Sequence, residues 1–294
     1  MSRCLIRLSL VLILALCGLA TPAVHAICGN GAVELNEVCV AAPTSIWTPG
    51  APIVAVISAD LNADGFLDVA AATATQSFVR LGAAGGFGAS SFFTHVGVTF
   101  TDLSAGDFDG DGDLDLVLAD GPGNRLVVRP NNGGVNFAPG INYAVGVQPT
   151  RVFAVRMDGD ARADLVALNS VSDTVSVRLA FPVAAGFFNP VNYSVGDAKD
   201  LAIGDCDGDG DRDILYVNAQ GTATNLRARR NNGAGVLGAP TSSILPLFHP
   251  ALPPPAAVPA YLEPLAIVAG RFDADPFADA VVSSTWSILA PATS

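Results

Sequence analysis

Asp107-Phe108-Asp109-Gly110-Asp111-Gly112-Asp113-Leu114-Asp115 places an acid at every odd position of a nine-residue stretch. The same frame stands at Asp60-Leu-Asn62-Ala-Asp64-Gly65-Phe66-Leu-Asp68 and at Asp205-Cys-Asp207-Gly-Asp209-Gly210-Asp211-Arg-Asp213. Two further copies begin with arginine, Arg156-Met-Asp158-Gly-Asp160-Ala161-Arg-Ala-Asp164 and Arg271-Phe-Asp273-Ala-Asp275-Pro276-Phe-Ala-Asp279. The copies start at 60, 107, 156, 205 and 271, in steps of 47, 49, 49 and 66. The five windows hold 19 of the 24 aspartates, so the spacing is an internal repeat and not a compositional accident.

Short apolar runs flank each copy. Ile53–Ile57, Val152–Val155 and Leu265–Ala269 precede it, and Leu116–Ala119, Leu165–Leu168 and Ile214–Val217 follow. A further run comes next (Leu126–Arg129, Val175–Leu179), then turn residues such as Asn131-Asn132-Gly133-Gly134 or Asn231-Asn232-Gly233, then a segment like 137–146. All have strand length, and no helical periodicity follows residue 26. Four short strands per repeat predict an all-β fold, a β-propeller of four-stranded blades. A sandwich would not repeat its sequence in register. The count points to about five blades. Ile46-Trp47-Thr48-Pro49-Gly50 aligns with Asn142–Gly146, and Thr285–Leu289 has the character of a third strand of the fifth blade. The first segment could then complete the last blade and close the ring. The alternative is a truncated six- or seven-bladed ring.

The nonamer suits calcium, which takes six to eight hard oxygen ligands at about 2.3–2.6 Å in a tolerant geometry. Positions 1, 3 and 5 offer short oxygen-bearing side chains: Asp60, Asn62 and Asp64; Asp107, Asp109 and Asp111; Asp205, Asp207 and Asp209. Position 7 (Phe66, Asp113, Asp211) adds a backbone carbonyl, and position 9 (Asp68, Asp115, Asp213) reaches back from the next strand. Glycine at position 6 permits the positive φ such a turn requires. The third and fifth copies lack both features, with Arg156 or Arg271 at position 1 and Ala161 or Pro276 at position 6. The expectation is that each guanidinium replaces the cation there, bridging Asp158, Asp160 and Asp164, or Asp273, Asp275 and Asp279. Three metals per chain follow.

With Gly86-Phe87-Gly88 beside a glycine-rich turn, the nonamer resembles the FG-GAP/VCBS repeat of integrin α-subunit propellers and of many exported bacterial proteins. The likeness covers roughly 43–294. Its Phe-Gly element fades to Phe137-Ala138 and Phe187-Phe188 in later copies. The family implies a calcium-stabilised propeller, and it includes both binding modules and enzymes.

The N-terminus has the form of an export signal over 1–26. Arg3 and Arg7 precede an apolar stretch from Leu8 to Ala20, and Val24-His25-Ala26 offers a cleavage site. The stretch is short for a membrane anchor, so no membrane span is expected after cleavage. The expected location is extracellular or periplasmic, in a bacterium. Residues 27–42 form a separate segment. Cys28-Gly-Asn-Gly-Ala-Val-Glu-Leu-Asn-Glu-Val-Cys39 resembles the first half of the cysteine-rich CGNG repeats of exported bacterial proteins, without their acidic continuation. That resemblance implies a Cys28–Cys39 disulfide, two free thiols being the alternative. Cys206 is expected to be a buried small side chain.

Composition excludes some functions. Half of the 294 residues are apolar and 14% charged, enough for a large core. The formal net charge is −12 and Lys199 is the sole lysine, so phosphate-mediated binding of nucleic acid is not expected. Past the signal only His95 and His249 remain, and no nucleophile elbow, zinc-protease or P-loop pattern occurs. No polar cluster is evident outside the nonamers. The one non-repeating feature is a proline-rich insertion at 240–264, with eight of the 20 prolines. It is either part of a partner surface or a loop packed on the rim. The expectation is a non-catalytic binding, adhesion or structural module for an unknown protein or glycan. The alternatives are a propeller-type carbohydrate-active hydrolase or lyase, or a fragment of a larger enzyme.

Overall fold

Each nonamer sits between two strands. The computed structural model describes residues 51–84, 86–182, 185–220, 223–244, 260–271 and 277–288. The first sheet contains β1 (Ile53–Ala59), β2 (Asp68–Thr73), β3 (Gln76–Ala83) and β4 (Gly86–Thr94). The second contains β5 (Phe100–Gly106), β6 (Asp115–Asp120), β7 (Arg125–Arg129) and β8 (Ile141–Ala144). The third contains β9 (Pro149–Val155), β10 (Asp164–Asn169), β11 (Thr174–Arg178) and β12 (Val191–Ser194). The fourth contains β13 (Ala198–Gly204), β14 (Asp213–Gln220), β15 (Ala223–Arg229) and β16 (Thr241–Ile244). These are four antiparallel meanders in sequence order. A two-stranded sheet follows, β17 (Ala260–Gly270) with β18 (Asp279–Ile288). Among the described residues there is no helix, hence none long and apolar enough to cross a membrane.

The second strands explain the unbroken apolar runs. A strand covered on both faces needs apolar residues at odd and even positions alike. Leu116 and Leu118 of β6 pack toward the first blade, with Leu61, Ala70 and Phe100, while Val117 and Ala119 pack toward the third, with Val152, Leu165 and Ala167. In β10, Leu165 and Ala167 face the second blade, and Val166 and Leu168 face the fourth, beside Ile214 and Tyr216. In β14, Leu215 and Val217 turn to the fifth sheet, beside Ile267 and Ala280. The core is therefore a series of seams between blades. The fourth strands are largely exposed, as at β8 and β12, and form the outer edge.

All five first-to-second strand pairs carry a register shift, between Ile53 and Ala55, Phe100 and Asp102, Leu168 and Asn169, Ala198 and Asp200, and Pro264 and Ala266. Such a bulge raises local twist, and its recurrence marks one repeated unit.

The structure corrects the sequence expectation at the last sheet. Residues 285–288 do not form a third strand; they prolong β18 and pair with 260–263, Ile288 lying opposite Ala260. The proline-rich insertion is correspondingly shorter, because 241–244 belong to β16 and 260–264 to β17. Its residues 245–259 lie outside the described residues, as do the signal, the Cys28–Cys39 pair and 46–50. The ring is not closed among the described residues.

Candidate metal centre

The nonamers link first to second strands, so they recur at one place in every blade. Position 6 takes the left-handed conformation at Gly65, Gly112 and Gly210, with φ of +87°, +93° and +94°. Nothing lies within 4 Å of a Cβ built there, so the demand for glycine is conformational and not spatial. Position 4 is left-handed too, at Ala63, Gly110, Gly159 and Gly208, which the spacing argument missed. Ala161, at position 6 of the third loop, is not.

Position 9 is the buried anchor. Asp68, Asp115, Asp164 and Asp213 are all at most 1% exposed. One oxygen of each accepts the N–H of its own position 2: Leu61 (2.8 Å), Phe108 (2.9 Å), Met157 (2.7 Å) and Cys206 (2.9 Å). The other accepts an N–H beyond or at the end of the third strand: Gly82 (2.7 Å), Asn131 (2.7 Å), Ala180 (2.8 Å) and Asn231 (2.8 Å). This aspartate thus ties loop, second strand and hairpin together whether or not a metal binds. Each oxygen keeps a further lone pair.

Position 1 organises the turn. Asp107 accepts the N–H groups of Gly110 (2.6 Å) and Gly112 (3.1 Å), and Asp205 those of Gly208 (2.7 Å) and Gly210 (3.0 Å). In the first loop Asp60 accepts from Asp64 (3.1 Å) and Gly65 (2.8 Å). With Arg156 in that place, the third loop loses this acceptor.

Oxygen atoms of Asp107, Asp109 and Asp115 lie within 4.8 Å of one another, as do those of Asp205, Asp207 and Asp209. Asp111, Asp113, Asp211 and Asp213 belong to the same loops but lie outside these two triads. The first loop forms no such carboxylate triad. There Asn62 donates to Asp64 (2.9 Å), and Asp64 accepts the N–H of Phe66 (2.9 Å).

A divalent cation suits both triads. Burial first, then the charge of Asp111, raises the pKa of Asp109; burial, then Asp213 and Asp209, raises that of Asp207. Burial also pushes Asp115 up to about 6, against hydrogen bonds from Asn131 and Phe108 that favour the anion. Groups that destabilise each other's charge are stabilised by a shared cation. Oδ1 of Asp207 is buried and, among the described residues, has no hydrogen-bond donor, although its side chain is 12% exposed. A hard metal ion satisfies such an oxygen without needing a proton. If occupied, the sites would be held by Asp107, Asp109 and Asp115 and by Asp205, Asp207 and Asp209.

In the third loop the expected arginine substitution is not what the structure contains. Arg156 is exposed and makes no ion pair with Asp158, Asp160 or Asp164. A guanidinium that does pair with one of the clustered acids is that of Arg230, at the end of the fourth blade's hairpin, 3.3 Å from Asp207. Asp273 and Asp275 lie outside the described residues.

The loops are also joined to each other in an alternating pattern. Asn131 Nδ2 donates to the Leu61 carbonyl (2.9 Å) and to that of Leu114 (3.2 Å), bridging loops one and two. Asn231 Nδ2 donates to the Met157 carbonyl (2.6 Å), bridging the fourth blade's hairpin to loop three. At the other two seams the backbone does the work: Ala163 N–H donates to Asp107 (2.7 Å), and Ala278 N–H to Asp205 (2.6 Å). The loops with arginine at position 1 therefore hang from the two loops whose carboxylates converge.

A second repeated feature escaped the sequence reading. Arg129, Arg178 and Arg229 end their third strands and stack on aromatic rings of the preceding blade: Phe93 (4.4 Å), Tyr143 (5.7 Å) and Tyr193 (5.7 Å). The signal was present, as arginine recurs in one register at the ends of β7, β11 and β15.

Comparison with known proteins agrees with this repeat. An FG-GAP-like repeat model matches residues 60–118 and 107–167, each match running from one nonamer into the second strand after the next. The chain carries FG-GAP-like repeats. No curated protein matches it. A solved structure of an Agrocybe aegerita lectin that recognises non-reducing terminal N-acetylglucosamine aligns with a TM-score of 0.47 and 18% identity, over 63% of this chain and 51% of that one. The chain thus spans about half the length of that structure.

Proposed function

For a chain built on FG-GAP-like repeats, we propose an exported, calcium-stabilised propeller that binds a partner and has no catalytic role. The observation that carries the metal is the pair of carboxylate triads in the equivalent loops of the second and fourth blades, sharing positions 1 and 3 and completed by position 9 or position 5, one with a buried oxygen that has no donor among the described residues. The ion would neutralise acids that burial and mutual repulsion otherwise disfavour. It would also stiffen the loops that support the neighbouring loops three and five. The first loop, with Asn62 in place of an acid, would bind more weakly. Support for a binding role is the architecture itself, in which many loops are presented on a rigid frame.

Calcium titration by calorimetry tests this with the wild type and with Asp109→Asn and Asp207→Asn. Each substitution removes one carboxylate from one triad. The expected result is two tighter ions and one weaker in the wild type, with one tighter ion lost in each variant. Unchanged stoichiometry and affinity in both variants would show that calcium, if bound, is held elsewhere.

A further inference from the structure

We infer that the groove between the first and second blades is a binding site for a small hydroxylated carboxylate, of the acidic-sugar class, with Arg129 as its anchor. The inference deepens the binding-module reading and rests on it, but its chemistry is independent of the metal loops.

The arginines that end β7, β11 and β15 differ in their partners. Arg178 stacks on Tyr143 and donates to the carbonyls of Ala144 (2.8 Å) and Phe188 (2.6 Å). Arg229 stacks on Tyr193 and donates to Ser194 (2.6 Å) and Gly238 (2.6 Å). In both, the guanidinium is consumed in sealing a seam. Arg129 stacks on Phe93 but, among the described residues, makes no hydrogen bond and no ion pair, and its buried Nε has no acceptor there. A guanidinium with neither a carboxylate nor a carbonyl against it keeps its terminal donors for whatever enters the space beside it.

The space beside it supplies the place. A groove of about 490 Å³ opens along Thr94, His95, Arg125, Arg129 and Asn142, with Val98 on its wall. Its volume falls in the range of small-molecule sites. Among the described residues, no Asp or Glu lines it. Arg125 is already neutralised by Asp120 (2.8 Å) and also donates to the Gly97 carbonyl (3.1 Å). His95 is uncharged at neutral pH, because burial first and Arg129 second hold its pKa near 4; its Nε2 is hydrogen-bonded to Ser77 Oγ at 2.9 Å. One positive charge is therefore left for a ligand.

A carboxylate fits that charge, since guanidinium and carboxylate match as paired donors and acceptors. The hydroxyl of Thr94 and the amide of Asn142 can exchange hydrogen bonds with ligand hydroxyls, and Val98 offers an apolar wall for C–H faces. The chain's net charge of −12 opposes anions at long range, but salt screens this beyond about 8 Å at physiological ionic strength.

The test follows the Arg129 Nε–Hε resonance of the calcium-loaded protein by NMR while D-glucuronate or D-galacturonate is added. D-glucose and sodium acetate are the separate controls. The expected result is a saturable shift at millimolar uronate, none with glucose, and a weaker response to acetate. Arg129→Gln should weaken uronate binding at least about tenfold, which is about 1.4 kcal/mol. Arg178→Gln, which removes the matching stack at the next seam, should leave it unchanged. An Arg129 resonance unmoved by either uronate, or binding retained in Arg129→Gln, would overturn the inference. Acetate binding as tightly as the uronates would overturn the acidic-sugar assignment. Calcium counted on the same sample separates the two readings: ions bound with no uronate response would defeat the groove alone.

Discussion

At the residue scale the position-9 aspartate does two jobs, and the third loop isolates one of them. Asp164 has no converging triad around it, yet it is fully buried and its oxygens accept from Met157 and Ala180. Burial is the largest influence and pushes its pKa up to about 6 from 3.8, with the two hydrogen bonds opposing. The folded chain therefore holds this proton to higher pH than the unfolded chain does. The resulting stability is fully present below pH 3.8 and is lost as pH rises through about 6. Asp164→Asn removes the titration, and it also aims an NH2 group at a backbone N–H. A protonated carboxyl keeps an acceptor on each oxygen; an amide does not. The variant should be less stable than wild type near pH 4, by on the order of 1–3 kcal/mol, with the gap narrowing toward pH 7. Urea unfolding at several pH values checks this; a gap that widens with pH would contradict the burial argument. Alternation of acids pointed to the odd positions, but burial of position 9 depends on the hairpin that packs over it, which no local pattern reveals.

At the element scale the repeated loops are alike in sequence and unlike in surroundings. Both triads sit in Asp-Gly-Asp-Gly-Asp loops, but position 207 has Arg230 beside it, whereas Pro130 occupies the matching place in the second blade. A guanidinium at 3.3 Å competes with a cation for Asp207. Arg230→Gln should therefore tighten calcium binding at the fourth-blade loop about two- to tenfold, or about 0.5–1.4 kcal/mol, and leave the second-blade loop unchanged, since the pair is largely buried but single-contact. Site-resolved NMR titration reads both loops together, and weaker binding in the variant would show that Arg230 supports the site. The strands were legible before the structure, because alternation on both faces of a buried strand leaves an unmistakable apolar run such as 116–119. The last sheet was not. Thr285–Ile288 has the composition of a separate strand, and only its pairing with Ala260–Glu263 shows that it continues β18. The arginine substitution failed in the third loop for a related reason: Arg156 stands at a ligand position in sequence, while its side chain is exposed.

At the scale of the whole molecule, stability resides in seams between blades, and the acidic loops alternate between converging and supported types along them. The second and fourth loops carry the triads and accept, through the carbonyls of Asp107 and Asp205, the N–H groups that hold the third and fifth. Removing the ions should thus loosen more than two turns. Occupancy at a hundred times the dissociation constant stabilises by about 2.7 kcal/mol per site, so two sites contribute about 5 kcal/mol, comparable to the whole stability of many domains. The measurement that bears most directly on this account is the melting temperature of the purified protein in millimolar calcium and after chelation, with the bound ions counted on the same sample. The account predicts two tightly bound ions, a weaker third, and a melting temperature that falls by many degrees on chelation. No bound calcium and an unchanged melt would contradict it.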